Sequence, residues 1–209
     1  MKKILLAALL IASPMTVSAA SFTDIGQLAP KTQAEINEAV TLGLFKDATA
    51  FNPQRAMSRG QVTLTVARAI AGDQTPQQFV EHFGLERQVT PFMDVPVAFK
   101  TGNAGERELY FASLIVKDAG AFTQPKLQQG QPIKRGQLAK VLVNAFDLKQ
   151  GTAKVVITDV VGAEERVNTQ ILASLGITQP QGTSFKPAGQ VTRAQMASFL
   201  VRTFSVLNK

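Results

Sequence analysis

Apolar residues recur along the chain at intervals of three and four positions, which is the spacing of one buried face of a helix. These stripes come in pairs. The first pair has one stripe at Ile36, Ala39 and Val40 and a second stripe behind Ser58. A polar loop containing a phenylalanine separates the two stripes, and the same arrangement returns twice further along the chain. The pattern therefore predicts three helix-loop-helix repeats.

Each second helix opens with a recurring four-residue motif: Ser58-Arg59-Gly60-Gln61, Lys134-Arg135-Gly136-Gln137 and Thr192-Arg193-Ala194-Gln195. A hydroxyl residue followed three positions later by Gln is a capping-box signature, because the two side chains satisfy backbone N–H groups that a helix start leaves unpaired. Thr32-x-x-Glu35 carries a similar signature and predicts the start of the first helix. A further short helix, capped by Thr75 with Pro76 in its first turn, is predicted between the first two repeats.

An acidic signal precedes each pair of helices: Phe22-Thr23-Asp24-Ile25, Phe92-Met93-Asp94-Val95 and Ile157-Thr158-Asp159-Val160. Each aspartate, taken alone, is typical of a residue that caps the following turn.

The loops between the helices show where the second repeat diverges. Phe51 and Phe185 both stand eight residues before the motif arginine, whereas Phe122 stands thirteen residues before its own. A loop longer by about one helical turn is therefore predicted in repeat 2. The first helices of repeats 1 and 3 are followed by Gly43 and Gly176, and the position is assigned to Ile115 in repeat 2.

Helix capping does not explain the motif arginine. A cation in the first helical turn faces the positive end of the helix dipole, which typically costs about 0.3–1 kcal/mol. Arg59, Arg135 and Arg193 repeat this unfavourable placement, so each is expected to have a compensating anion. That anion is either one of the recurring aspartates or an external carboxylate or phosphate, held by the guanidinium group together with the helix N-terminus. The residues alone leave both interpretations open.

The repeats set the predicted domain boundaries along the chain. Residues 1–20 combine Lys2 and Lys3 with a short apolar run and small residues, which is the pattern of a secretory signal peptide and is too short to span a bilayer. The remaining predicted boundaries are repeat 1 at 21–71, a connecting helical insertion at 72–90, a divergent repeat 2 at 91–148, a linker at 149–154 and repeat 3 at 155–209.

Composition narrows the classes of function. The chain has no cysteine, which excludes disulfides and thiol nucleophiles. Its net charge of +7 becomes +5 without Lys2 and Lys3, a diffuse excess that suits an anionic polymer or lipid surface better than nucleic acid. The only histidine is His82, and the sequence contains neither a metal-ligand cluster nor a glycine-rich phosphate loop. We therefore expect no enzymatic activity, catalytic residue, metal site or cofactor.

The combined pattern resembles the S-layer homology domain: Phe-x-Asp-Ile/Val, a helix, Leu-Gly-Ile/Leu, Phe-x-Pro and Thr/Ser-Arg-Ala/Gly-Gln. Repeat 3 carries it most clearly, with Ser174-Leu175-Gly176-Ile177, Phe185-Lys186-Pro187 and Thr192-Arg193-Ala194-Gln195. The resemblance covers three tandem domains. It implies an all-α fold in which three helix-loop-helix repeats form a pseudo-threefold spindle around a central three-helix bundle.

The resemblance also implies a function. Such domains attach exported proteins non-covalently to the cell wall by binding secondary cell wall polysaccharide that bears pyruvyl ketals, whose carboxylate would supply the anion that the arginines require. Carried over by position, Arg59, Arg135 and Arg193 contact the sugar, and Gly43 and Gly176 let it approach the backbone closely. The recurring aspartates Asp24, Asp94 and Asp159 complete the candidate set. The expected location is the cell wall or cell surface, with no transmembrane segment after cleavage.

The chain departs from the family pattern at several points. The arginine motif ends in Gln where the family usually has Glu, and tryptophan is absent. Repeat 2 also has Ile115 in place of glycine and Lys134 in place of the hydroxyl residue. We therefore expect one or two working grooves, with Arg193 the most secure and Arg135 the least. The alternative is a protein–protein adaptor or structural component of the cell envelope with degenerate sugar grooves.

Overall fold

The computed structural model describes residues 22–46 and 48–209, and in these residues the regular structure is helical, with no β-strand. The predicted signal peptide, residues 1–20, lies outside the described residues. The all-α class is confirmed. The helices are α1 (Pro30–Thr41), α2 (Arg59–Ala71), α3 (Pro76–Phe83), α4 (Ala104–Asp118), α5 (Arg135–Ala145), α6 (Ala163–Ser174) and α7 (Arg193–Leu207). None of these helices has both the length and the apolar character that crossing a bilayer requires.

The second helix of each repeat begins at the motif arginine. In α2 the Ser58 hydroxyl accepts a hydrogen bond from the Gln61 amide at 3.3 Å, and the Gln61 side chain accepts one in return from the Ser58 amide at 3.0 Å. Thr192 forms the same capping box at the start of α7. Lys134 has no hydroxyl, yet the Gln137 side chain still accepts a hydrogen bond from the Lys134 amide at 3.0 Å.

The start of α1 differs from the prediction. The helix begins at Pro30 with Ala29 as an N-cap that makes no side-chain hydrogen bond, so Thr32 and Glu35 form no capping box. Proline favours the first helical turn because its fixed φ suits the helix and its missing N–H costs nothing there. Glu35 is instead buried, and its two carboxylate oxygens accept hydrogen bonds from Nε and Nη2 of Arg202 at 2.8 and 3.0 Å.

The first helices of all three repeats end in the same way. A glycine in the left-handed conformation follows each one: Gly43 (φ 68°), Gly120 (φ 71°) and Gly176 (φ 71°). The next amide then reaches back five residues, from Leu44 to Ala39, from Ala121 to Val116 and from Ile177 to Leu172. The assignment of Ile115 to the glycine position was therefore wrong. Helix α4 continues past Ile115, and Gly120 is the counterpart.

The loop of repeat 2 is also regular, which corrects a second prediction. Asn52, Gln128 and Lys186 have φ values of 57°, 56° and 57° although none is glycine. Each follows the residue that stands eight positions before the motif arginine. That residue is Leu127 in repeat 2, so Leu127 is the counterpart of Phe51 and Phe185. The longer loop predicted from Phe122 does not exist.

The recurring aspartates hold these loops in place. Asp24 accepts hydrogen bonds from the amides of Phe51 and Asn52 at 2.8 and 2.7 Å. Asp94 binds the Leu127 and Gln128 amides at 2.7 and 2.6 Å, and Asp159 binds the Phe185 and Lys186 amides at 2.9 and 2.7 Å. These partners lie between 26 and 34 residues after the aspartate, so each carboxylate spans its own repeat rather than acting only on the following turn.

Two compact bodies make up the described chain. Body 1 consists of Ser58–Pro132 and Lys140–Leu148, and body 2 consists of the described part of Ile11–Met57 together with Ile133–Ala139 and Lys149–Lys209. In body 1, α2 packs against α4, and α3 packs against both. In body 2, α1 packs against α7. The pairs α2–α4 and α1–α7 each join the second helix of one repeat to the first helix of another.

Body 2 contains a closed ring of three backbone hydrogen bonds. The Met57 amide donates to the Val191 carbonyl at 2.8 Å, Val191 to Ile133 at 3.1 Å, and Ile133 to Met57 at 3.0 Å. The three residues are at most 1% exposed. Each one stands two positions before a motif arginine, so every repeat contributes one residue to the ring. The spindle and its central three-helix bundle stay a prediction.

Candidate functional site

The motif arginines share one arrangement, in which each guanidinium group donates to a loop carbonyl of a different repeat. Nε of Arg193 donates to the Phe51 carbonyl at 2.7 Å, and Nη1 of Arg135 donates to the Phe185 carbonyl at 3.0 Å. Nε of Arg59 donates to the carbonyl of Leu127. These acceptors are the three equivalent loop residues of repeats 1, 3 and 2, so each site is built from two repeats.

Phenylalanine rings cover the guanidinium groups. The guanidinium carbon of Arg193 lies 5.1 Å from the ring centroid of Phe45 and 4.7 Å from that of Phe51. Arg59 lies 4.8 Å from the Phe122 ring, and the corresponding distance from Arg135 to Phe185 is 5.9 Å. Such cation–π contacts contribute about 0.5–1 kcal/mol at exposed sites and about 2 kcal/mol when desolvated. These rings therefore position the arginines.

The backbone amides at the helix starts are already occupied. In α7 the amides of Arg193 and Ala194 donate to the carbonyls of Arg55 and Pro53 at 2.9 and 3.1 Å. The first two amides of α2 and α5 bind loop carbonyls of repeats 2 and 3 in the same way, and the capping hydroxyls take the third amide of α2 and α7. The hypothesis that these helix amides assist in anion binding is therefore wrong for α2 and α7. At these two helix starts the guanidinium group is the donor that is left for an external anion.

No carboxylate in residues 22–46 and 48–209 lies within ion-pair distance, 4.0 Å, of the guanidinium groups of Arg59, Arg135 and Arg193. Burial lowers the pKa of all three arginines, and the charges of Asp94, Asp159 and Asp24, respectively, offset part of that effect from a longer range. Each arginine remains charged at neutral pH. It is thus a partly desolvated cation whose only described partners are neutral.

The hydrogen-bond donors left over differ among the three arginines. Nε of Arg135 is buried and has no acceptor in the described part of the chain. The two Nη groups of Arg193 also make no hydrogen bond to a described residue, since only Nε is engaged. Arg59 is the most enclosed, at 6% exposed, and its Nη2 additionally donates to the Gln124 side chain at 3.4 Å.

A cavity of about 470 Å³ opens beside Arg135, entirely within body 2. We call it the Arg135 groove. Its volume lies in the range of about 300–1,000 Å³ that is typical of small-ligand sites. Helix α7 contributes Gln195, Ser198 and Arg202 to the lining, and the loop of repeat 3 contributes Gln179, Ser184 and Lys186, among others. The wall is therefore rich in amide and hydroxyl groups.

The lining of the Arg135 groove carries three cations and no carboxylate. Arg202 is neutralised by Glu35, whereas the ammonium group of Lys186 donates only to the amide oxygen of Gln181, at 3.3 Å. The nearby carboxylate of Asp159 already accepts hydrogen bonds from the Phe185 and Lys186 amides and the Ser184 hydroxyl. The groove therefore presents two cations, Arg135 and Lys186, to a ligand.

Gly43 and Gly176 have a backbone reason to be glycine, because both lie in the left-handed region. A Cβ added at either position would meet no heavy atom within 4 Å. The space beside them is open, so the structure is compatible with the approach of a sugar, although positive φ alone accounts for the residue type.

Sequence reasoning missed Gly120, Leu127 and Lys186. The constant spacing of eight residues to the motif arginine is the signal that identifies Leu127, and with it the loop position occupied by Lys186. The structure places the described groove beside Arg135, the arginine that the departures from the family pattern ranked last. The number of working grooves stays a prediction.

We expect acid to weaken the fold through the carboxylates that hold it. Hydrogen bonds from the Phe185 and Lys186 amides lower the pKa of Asp159. Burial alone would raise the pKa of Glu35, but the hydrogen bonds and charge of Arg202 outweigh it and lower the pKa. A lowered native pKa means that the stabilisation is present above the ordinary values of 3.8 and 4.5 and is lost as the pH falls through the native values. We therefore measure the thermal midpoint between pH 7 and pH 2 and expect it to decrease once the pH is below about 4. A flat profile in the wild type, or an Asp159→Asn variant that leaves the acid dependence unchanged, would contradict this account.

Comparison with known families agrees with the geometry. The arrangement defines a helical repeat protein in which the second helix of each repeat begins at an arginine held by the loop of another repeat. The S-layer homology domain family model matches residues 21–63 and 170–197. These two matched segments lie in repeats 1 and 3, and members of the S-layer homology domain family anchor at the cell surface by binding cell-wall polymers. A search of curated proteins finds no match for the chain.

Proposed function

We propose that this chain is an exported module that attaches non-covalently to the cell wall by binding an anionic, pyruvylated secondary cell wall polysaccharide beside its motif arginines. The observation that carries the proposal is the guanidinium group of Arg135. It is partly buried, contacts no described carboxylate, and lines a cationic cavity of about 470 Å³. The match of two segments to the S-layer homology domain family supports the proposal at the level of cell-wall attachment.

The chemistry of a pyruvyl ketal suits this site. Its carboxylate presents two oxygens, and a guanidinium group binds such a pair through parallel N–H donors. The Phe185 carbonyl and ring already hold the Arg135 side chain, so less conformational freedom is lost on binding. The side-chain amide of Gln179 supplies both donors and an acceptor for the hydroxyl groups of a sugar, and the amide nitrogen of Gln195, whose oxygen accepts a hydrogen bond from the Thr192 amide, supplies further donors.

Export is supported by the signal-peptide pattern of residues 1–20. The binding role requires no catalytic group.

Titration calorimetry with wall polysaccharide tests the proposal. The chain without residues 1–20 is titrated with native polymer, with polymer depyruvylated by mild acid, and with a neutral polysaccharide as the control. Removal of the ketal carboxylate takes away a charge-assisted interaction, so we expect at least about tenfold weaker binding to the depyruvylated polymer. Equal affinity for the native and depyruvylated polymers would refute the proposal. Capture of an envelope protein despite excess polymer would favour the adaptor alternative.

A further inference from the structure

One side chain in the Arg135 groove carries a charge that its counterparts in the other repeats lack. Lys186 occupies the loop position held by Asn52 in repeat 1 and Gln128 in repeat 2. All three residues adopt the left-handed conformation, with φ between 56° and 57°. All three amides also donate to the aspartate of their own repeat. Since two neutral residues satisfy the same backbone requirement, the fold does not require the charge of Lys186.

Lys186 and Arg135 are held close together. The Arg135 guanidinium group donates to the carbonyl of Phe185, which is the residue directly before Lys186. The ammonium group of Lys186 is turned toward the side-chain oxygen of Gln181, and both residues line the groove. Lys186 is exposed, so its charge is hydrated, and the two cations that line this groove attract an entering anion together.

The described carboxylates around the groove are engaged elsewhere. Glu35 is paired with Arg202, and Asp159 accepts three hydrogen bonds. The Glu165 carboxylate lies against the Cα of Gly136, next to Arg135 in the chain, but does not line the cavity. A ligand with a single negative charge therefore leaves one of the two cations, Arg135 or Lys186, without a counter-charge.

Building on the proposed function, we propose that Lys186 is a specificity-determining residue that binds a second anionic group, so that the Arg135 groove selects a polysaccharide segment carrying two negative charges. Arg135 holds the first anion through its guanidinium fork. Lys186 holds the second as a compact point charge with rotatable donors. Charge complementarity of this kind discriminates mainly against ligands that leave a cation unpaired.

The test is the salt dependence of binding to native wall polysaccharide, measured by titration calorimetry from low to high NaCl for the chain without residues 1–20. The variant is Lys186→Gln, which introduces the residue that repeat 2 already carries in this backbone conformation. The matched control is Lys154→Gln, which removes the same charge from an exposed lysine outside the groove lining. Unchanged thermal midpoints verify that both variants fold.

An ion pair between exposed groups is screened by salt, so its loss makes binding to a polyanion less dependent on salt concentration. We expect Lys186→Gln to reduce the slope of log Kd against log salt concentration and to weaken binding about twofold to fivefold at low salt, whereas Lys154→Gln leaves both unchanged. A slope equal to that of the wild type in Lys186→Gln overturns the inference, and so does an equal reduction in Lys154→Gln, which would show a general field effect.

If the wild type fails to bind the polymer, it is the proposed function that fails. If only Arg135→Ala lowers the slope, the proposed function stands and the role of Lys186 does not.

Discussion

Replacement of Arg135 by alanine is expected to weaken binding to native wall polysaccharide by about 10- to 100-fold, because a hydrogen bond to a charged group is worth about 1.5–3 kcal/mol. Arg135→Lys keeps the charge but loses the guanidinium fork and the stacking on Phe185, so its affinity should fall between those of the wild type and the alanine variant. Titration calorimetry on the chain without residues 1–20 measures both effects.

Arg59→Ala is the matched comparison. Arg59 is more enclosed than Arg135, and its Nε and Nη2 donate to Leu127 and Gln124. Its removal should therefore lower the thermal midpoint more than Arg135→Ala does. Wild-type affinity in the Arg135→Ala variant, with a normal thermal midpoint, would exclude this arginine from the binding site.

Replacement of Glu35 by alanine is expected to produce the largest loss of stability, about 3 kcal/mol in the free energy of unfolding. Glu35 is 6% exposed and joins α1 to α7 through two hydrogen bonds to Arg202. Without the carboxylate, the Arg202 guanidinium group stays partly buried and loses its counter-charge. Urea denaturation, monitored by far-ultraviolet circular dichroism, measures the change in midpoint and slope.

The surface pair between Lys100 and Glu86 provides the control for Glu35. Its side chains are 43% and 31% exposed, and pairs in contact with solvent contribute little to stability. We expect Lys100→Ala to change the urea midpoint far less than Glu35→Ala does. If the two variants unfold at the same midpoint, the α1–α7 ion pair does not stabilise this fold in the way described.

Local sequence signals predicted the starts of α2 and α7 correctly, because a capping box involves residues only three positions apart. Thr32 and Glu35 show the same spacing, yet the prediction there was wrong. Pro30 favoured an earlier helix start, and Glu35 found its partner in Arg202, 167 residues away. A pattern of residues three positions apart contains no information about a partner as distant in the chain as Arg202.

The end of α4 was missed for a related reason. Gly120 lacks the preceding leucine that marks Gly43 and Gly176. Because Ile115 was assigned to the glycine position instead, the loop that follows was also predicted wrongly, as longer than in the other repeats. The conformation at Gln128 and the contact from Asp94 identify the true equivalence.

The candidate site was likewise predicted only in part from the sequence. The recurrence of Arg59, Arg135 and Arg193 was visible in the sequence, and the argument from the helix dipole required that something offset their cost. What offsets it could not be read from the sequence, because the loop carbonyls and phenylalanine rings belong to other repeats. The charge that distinguishes Lys186 from Asn52 and Gln128 is likewise recognised only when the three loops are aligned on their residues with positive φ.

Because each motif arginine is held by the loop of another repeat, one repeat excised from this chain would contain a guanidinium group with no carbonyl to orient it and a loop with no arginine to receive. The smallest unit that recurs along the chain is thus smaller than the smallest unit that completes an arginine site. A single repeat would have to associate with a second copy to form one.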